Sequence, residues 1–223
     1  MTASTANGWL PQGTVYGTLL NFRREFDLWA PKMNEAPYKA PPKAPVLYIK
    51  TANTFAPCGA VVAVQGEVDV GATIGLVMAD AGSPSSSEPW SRVGGCVLLN
   101  DLSVPHASYY RPPLRFRNLD GFLVCGGAEH ALSQADDLAA LTLEVRINDQ
   151  LVQQVDLSTL VRNAGSLLND VSEFMTLQPG DVLMLGTDCL ESGARPRAKA
   201  GDRIEISASG FAALTHTLIA EEA

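Results

Sequence analysis

The stretch from Leu160 to Thr187, LVRNAGSLLNDVSEFMTLQPGDVLMLGT, constrains the fold more than any other part of this chain. Apolar residues at Leu160, Ala164, Leu167, Leu168, Val171 and Phe174 recur at the spacing of one buried helix face. Ser158 or Thr159 is the expected cap of that helix. Gln178-Pro179-Gly180-Asp181 must end it, because proline cannot continue a helix and glycine tolerates the left-handed turn that follows. Val182 to Leu185 then reads as a short apolar strand. Its end puts Gly186 and Thr187, a small residue and a hydroxyl, where a sheet often presents groups to a ligand.

Around this unit the pattern is that of a β-protein. Strand-like runs occur at Val15 to Leu20, Val46 to Ile49, Ala60 to Val64, Ala72 to Met78, Val93 to Leu99 and Gly121 to Val124. Leu141 to Ile147 and Leu151 to Val155 alternate on either side of Asn148-Asp149, the pattern of a hairpin. Arg203 to Ala208 and Phe211 to Leu218 form a last pair about Ser209-Gly210. Residues 1–13 are small and polar and are expected to fray, and Gly82 to Ser87 reads as a low-complexity loop. Pro31, Pro37, Pro41, Pro42 and Pro45 exclude regular structure from 31–45 and make it a stiff surface loop, of a length more often functional than not. The expected fold is mostly β (α+β), a rolled, mixed or antiparallel β-structure with one principal helix and few short ones. Its 223 residues are most simply one domain, with the N-terminal strand and proline-rich loop, 1–45, belonging to the same unit as 46–223.

A formal net charge of −8 argues against a nucleic-acid or anionic-membrane partner. Cys58, Cys96, Cys125 and Cys189 are widely separated and form no C-x-x-C pair, so all four are expected to be buried thiols of a reducing compartment. With no signal-like leader and no apolar run of membrane-spanning length, the expected location is cytoplasmic.

The segment SEFMTLQPGDVLMLGT resembles the helix, L-x-P-G-D, strand and T-G-T signature of the fumarylacetoacetate hydrolase family. The resemblance continues in order through Tyr48-Ile49-Lys50, Asn100-Asp101-Leu102-Ser103, Asp120-Gly121-Phe122 and Ala200-Gly201-Asp202. Tyr38-Lys39-Ala40-Pro41-Pro42-Lys43 and Ser108-Tyr109-Tyr110-Arg111-Pro112 look most like the first half of the family's isomerase/decarboxylases of 4-hydroxyphenylacetate degradation. The resemblance implies a subunit that decarboxylates 5-oxopent-3-ene-1,2,5-tricarboxylate and isomerises 2-hydroxyhepta-2,4-dienedioate. The alternative is a non-catalytic member that stabilises a metal-binding sister subunit. A homodimer, or a heterodimer with such a sister, is implied as well.

Family chemistry uses Mg²⁺ or Mn²⁺, a hard cation held by several oxygen ligands, to stabilise charge arriving on a 2-oxo group. Asp101 matches the family's metal-binding aspartate. Gly71 and Thr73 stand where the two glutamates of its E-x-E pair belong, and one carboxylate does not satisfy such an ion, so no tightly bound metal is expected. In place of the family's histidine/glutamate dyad stand Glu25 and Leu28. His106, His130 and His216 have no supporting spacing and are read as surface or packed residues. The resemblance carries the site to Arg117, Glu25 and Lys50 as catalytic residues and to Thr187, Tyr110, Arg111 and Ser108 as substrate-binding residues. Arginine clamps carboxylates with two hydrogen bonds, which suits a small polycarboxylate oxo-acid.

Overall fold

The computed structural model describes residues 8–79, 89–106, 114–127 and 136–221. The chain is mostly β, with fourteen strands and four α-helices among the described residues. Seven strands form one mixed sheet in the spatial order β2 (Val46–Lys50), β1 (Val15–Leu19), β11 (Val182–Met184), β6 (Ala72–Met78), β7 (Val93–Asp101), β8 (Leu123–Cys125) and β3 (Phe55–Ala56). Five more, β10 (Gln150–Asp156), β9 (Thr142–Ile147), β13 (Arg203–Ser207), β14 (Leu214–Ala220) and β4 (Val61–Val64), form a second sheet. A two-stranded ribbon pairs β12 (Arg197–Ala198) with β5 (Val68–Asp69). Most pairings are antiparallel; β1 with β11, β3 with β8 and β14 with β4 are parallel. The outermost strands of the large sheet, β2 and β3, are joined only by residues 51–54, so that sheet curls back on itself.

The period of two along the central strands fills two cores. Ile74, Leu76 and Met78 of β6, with Cys96 and Leu98 of β7, point into the larger core shared with the five-stranded sheet. Val77, Val97 and Leu99 point the other way, into a smaller cluster with Val15, Tyr48, Leu123 and Val182. Strands buried on both faces read as continuous apolar runs, which is why β6 shows no alternation in the sequence.

Helix α4 (Ala164–Ser172) buries the expected residues Ala164, Leu167, Leu168 and Val171. It differs at both ends. Asn163, not Ser158 or Thr159, caps it, accepting a hydrogen bond from Ser166 N at 2.8 Å. Ser158 and Thr159 belong to a 3₁₀ turn, and Leu160 is held before the helix by a bridge to Phe22 and by Val161 N donating to Asn21 O. Phe174 lies beyond the helix and is 58% exposed. Below it, Asp181 explains the acidic residue of the turn: one carboxylate oxygen accepts from Thr14 N and the other from Gln178 N, each at 2.8 Å.

The sequence missed helix α1 (Arg23–Met33), which runs through Pro31. Pro31 and Asp27, whose carbonyl loses its helical partner there, are both exposed, while Phe26, Trp29 and Met33 pack on the smaller cluster. Regular structure is therefore absent only from 34–45, not from 31–45. The other short helices are α2 (Leu114–Arg117) and α3 (Asp136–Ala139). All four cysteines are free, but Cys58 is half-buried rather than buried, with its Sγ accepting from Thr215 N. No helix among the described residues is long and apolar enough to cross a membrane.

His216 of β14 joins the two sheets. Asn100 Oδ1 accepts from Gly71 N at 3.0 Å, which turns its amide nitrogen toward His216 Nε2 at 2.8 Å. The ring hydrogen therefore sits on Nδ1, which has no hydrogen-bond partner among the described residues. Burial pushes this histidine down to about 4. Between that value and the ordinary 6.5 the unfolded chain binds the extra proton, so the histidine's contribution to stability is full above pH 6.5 and is lost as pH falls toward 4. Urea denaturation at pH 7 and pH 4 should show a loss on the order of 3 kcal/mol in the wild type that His216→Gln removes. Equal losses in both proteins would contradict this account.

Candidate functional site

Curling of the large sheet brings three distant segments to one buried carboxylate. Asp101 ends β7; Tyr48 and Lys50, two residues apart, share one face of β2; Arg117 ends α2. Arg117 Nη1 donates to Asp101 Oδ2 at 2.5 Å, Lys50 Nζ lies 3.0 Å from Oδ1, and the Tyr48 hydroxyl hydrogen-bonds Oδ2. The Arg117 guanidinium also lies over the Tyr48 ring, 4.7 Å from its centroid. Lys50 further donates to the carbonyls of Phe122, at 2.9 Å, and Arg117. It thereby ties β2 to the chain on both sides of the turn at 118–121. Burial alone pushes the Asp101 carboxyl up, but Lys50, Arg117 and the tyrosine hydroxyl together hold it below the usual carboxylate range. Desolvation lowers Lys50 against the pull of Asp101, and burial followed by the Asp101 charge raises Tyr48.

Gly71, expected at a glutamate position, has no room for a side chain. A Cβ on Gly71 would stand 2.5 Å from the backbone oxygen of Asp101 and 2.8 Å from Thr187 Cγ2, so no side chain fits there with this backbone. Thr73 is fully buried. Among the described residues no group of three histidine, cysteine, aspartate or glutamate side chains could hold a metal ion. The residues present therefore do not fit the family's ion: Asp101, the one matching ligand, is already neutralised by two side-chain cations.

Beside this cluster lies an open cleft of about 510 Å³, bounded by α1 and residues 192–197 and lined by Trp29, Lys32, Asp69, His106, Arg195 and Arg197 among others. Arg195 crosses its wall. Its Nη2 donates to Glu25 Oε1 at 2.7 Å and its Nε to Thr187 Oγ1 at 3.0 Å. The strand end that presents Thr187 is shaped by Gly186, at φ +106°, where a Cβ would come within 3.0 Å of Thr18 O. Asn21 anchors the same turn by donating to Leu185 O and Arg162 O while accepting from Arg162 N. Asp69, half-buried at the cleft, is raised by desolvation, against the pull of Arg195 and Arg197. His106 stacks on Phe116 with ring centroids 5.0 Å apart and donates from Nδ1 to Val104 O at 2.9 Å. Burial lowers it, so its ring is neutral near pH 7.

The structure thus brings Asp101, Lys50 and Arg117 together and joins Glu25 to Thr187 through Arg195. Lys50 and Arg117 are turned toward Asp101 and backbone carbonyls, with almost no exposed surface. Ser108, Tyr110, Arg111 and His130 lie outside the described residues. Tyr48, Asp69 and Arg195 were missed. Tyr48 shares a strand face with Lys50, a spacing that could have revealed it. Arg195 lies in a loop with no periodic pattern, 170 residues from Glu25, and nothing in the sequence marks their meeting.

A curled mixed β-fold with an N-D strand end held by buried basic residues and a G-T strand end that positions a cleft arginine defines a class of proteins built on this sheet. Residues 14–219 match the family described as Fumarylacetoacetate (FAA) hydrolase C-terminal, and the chain belongs to that family. It is 37% identical over 213 residues to the 4-hydroxyphenylacetate degradation bifunctional isomerase/decarboxylase of Escherichia coli, covering 94% of this chain and 48% of that protein. The chain thus spans about half the length of the curated relatives it matches most extensively. The fold is shared with fumarylpyruvate hydrolase from Pseudomonas aeruginosa in complex with Mn²⁺ and pyruvate, at a TM-score of 0.75, 17% identity and coverage of 98% of this chain and 94% of that one. It is shared too with 5-carboxymethyl-2-hydroxymuconate delta-isomerase from Mycobacterium smegmatis, at a TM-score of 0.72, 20% identity and coverage of 96% and 79%.

Breaking a buried ion pair by removing one partner leaves an uncompensated charge, at a cost of about 3–5 kcal/mol. Asp101→Asn, which strands Arg117 beside Lys50, should lose stability of that order in chemical denaturation, equally with EDTA and with excess Mg²⁺. An effect seen only in the presence of Mg²⁺ would mark Asp101 as a metal ligand instead.

Proposed function

We propose that this chain is a subunit of an isomerase/decarboxylase of 4-hydroxyphenylacetate breakdown, acting on a small oxo-acid with two or three carboxylates. The observation that carries this reading is the 37% identity over 94% of the chain to a bifunctional isomerase/decarboxylase, joined to a cleft with cationic lining in a protein of net charge −8. The reactions are the decarboxylation of 5-oxopent-3-ene-1,2,5-tricarboxylate and the isomerisation of 2-hydroxyhepta-2,4-dienedioate. The decarboxylation breaks a C–C bond, releases CO₂ and sends the electron pair through the conjugated system to the 2-oxo oxygen, which takes up a proton. The isomerisation moves that proton from oxygen to carbon, and both need the remaining carboxylates held still.

Within the cleft, Asp69 is the carboxyl suited to exchange that proton. Desolvation raises it toward the working pH of a general acid or base, and it lies among the cleft residues. Glu25, which stands at the family's histidine position, acts through Arg195, to which it is paired. Arg117 and Lys50 act through Asp101, fixing the end of β7, whose backbone oxygen faces Gly71 beside Thr187. Tyr110, Arg111 and Ser108 belong to the same reading as substrate-binding residues, on the strength of their motif. A cytoplasmic location, a single structural unit over 1–45 and 46–223, and a dimer of this chain or with a homologous metal-binding sister complete it.

A second reading has an observation of its own. The closed Gly71 position and the neutralised Asp101 favour a member that contributes structure to a metal-binding sister rather than chemistry. Both substrates should therefore be assayed with the purified chain alone and mixed with its sister, with and without Mg²⁺. Turnover by the chain alone in EDTA, cut at least tenfold by Asp69→Asn, is the expected outcome; turnover only in the Mg²⁺-supplied mixture, unaffected by Asp69→Asn, supports the second reading. Titration calorimetry should find no micromolar Mg²⁺ or Mn²⁺ site in the chain, and light scattering should find a dimer. A tight site abolished by Asp101→Ala would return the chain to the metal-dependent class.

A further inference from the structure

Arg195 has no role in the motifs, yet it is the most constrained cation of the cleft. Lys32, Arg195 and Arg197 line this space against the carboxylate of Asp69. Concave cationic surface on an acidic protein concentrates small anions locally. Arg195 differs from its neighbours in being fixed: its side chain is 10% exposed against 49% for Arg197, and Glu25 and Thr187 hold its Nη2 and Nε. A guanidinium whose plane is set in advance loses little freedom on meeting a carboxylate. Arg117 and Lys50 cannot serve in this way while they face Asp101, with side chains 2% and 0% exposed. The volume suits a small organic acid.

We propose that this cleft binds a small dicarboxylate without a divalent cation, the Arg195 guanidinium receiving one carboxylate and Lys32 and Arg197 at the rim meeting the other. The pairing with Glu25 sets the orientation of Arg195 and compensates its charge when the cleft is empty. Thr187 makes the second contact, so the G-T strand end positions the arginine. The proposal rests on the functional reading above for its placing of the substrate, and it adds the residues that recognise it.

Titration calorimetry of the full chain with glutarate, a non-reacting dicarboxylate, tests this. In EDTA the wild type should bind glutarate, with an affinity unchanged by added Mg²⁺. Arg195→Gln should weaken binding more than tenfold, Arg197→Gln and Lys32→Ala severalfold each, and the exposed Lys199→Ala not at all. Arg195→Gln leaves Glu25 buried beside a neutral amide, so Arg195→Lys and the double substitution Glu25→Gln/Arg195→Gln guard against a folding defect. Each should remain folded by circular dichroism and bind at least tenfold more weakly. Binding that requires Mg²⁺, no binding by the wild type, or equal affinity in wild type and folded Arg195 variants would overturn the proposal. Failure of both substrates to turn over, with Arg195-dependent glutarate binding retained, would contradict the functional reading and leave the binding site standing.

Discussion

The structure depends on how one buried carboxylate is neutralised. Asp101 has no exposed side-chain surface, and a lone carboxylate so placed would take up a proton or unfold the strand that carries it. Lys50 from β2 and Arg117 from α2 supply the compensation, with the Tyr48 hydroxyl between them. These residues come from both sides of a curled sheet, so the ion cluster and the curl support each other. The Lys50 ammonium also gathers the carbonyls of Arg117 and Phe122, which adds backbone positioning to charge compensation.

That arrangement decides what the neighbouring cleft can do. Gly71 lies so close to the backbone oxygen of Asp101 and to Thr187 that no side chain fits between them. Positive charge reaches the cleft through the fixed guanidinium of Arg195, itself balanced by Glu25. Pairing Glu25 with Arg195 keeps the local charge near zero.

Much of this was legible in the sequence because it is local. The spacing of Leu167, Leu168 and Val171 gave helix α4, the turn at Gln178 to Asp181 gave its end, and the apolar runs gave the central strands. The motif at Asn100-Asp101 marked the strand end that carries the buried carboxylate. What could not be read is set by long-range contacts. Capping by Asn163 follows from Leu160 being held by Phe22, and the passage of α1 through Pro31 follows from the packing of Phe26, Trp29 and Met33. The meeting of Glu25 with Arg195 joins chain positions 170 residues apart. Lys50 and Arg117, expected at the site from their motifs, both turn toward the buried Asp101 carboxylate, a long-range contact that no local pattern reveals.

The central claim is that Lys50 and Arg117 neutralise Asp101 and leave it no metal to bind. A crystal structure of the protein grown with glutarate and excess Mn²⁺, with anomalous data collected for manganese, tests it most directly. The account predicts a glutarate carboxylate on Arg195, the contacts of Arg117 and Lys50 to Asp101 intact, and no anomalous peak within coordination distance of Asp101. A manganese peak bound to Asp101, with Arg117 and Lys50 displaced from it, would contradict the account.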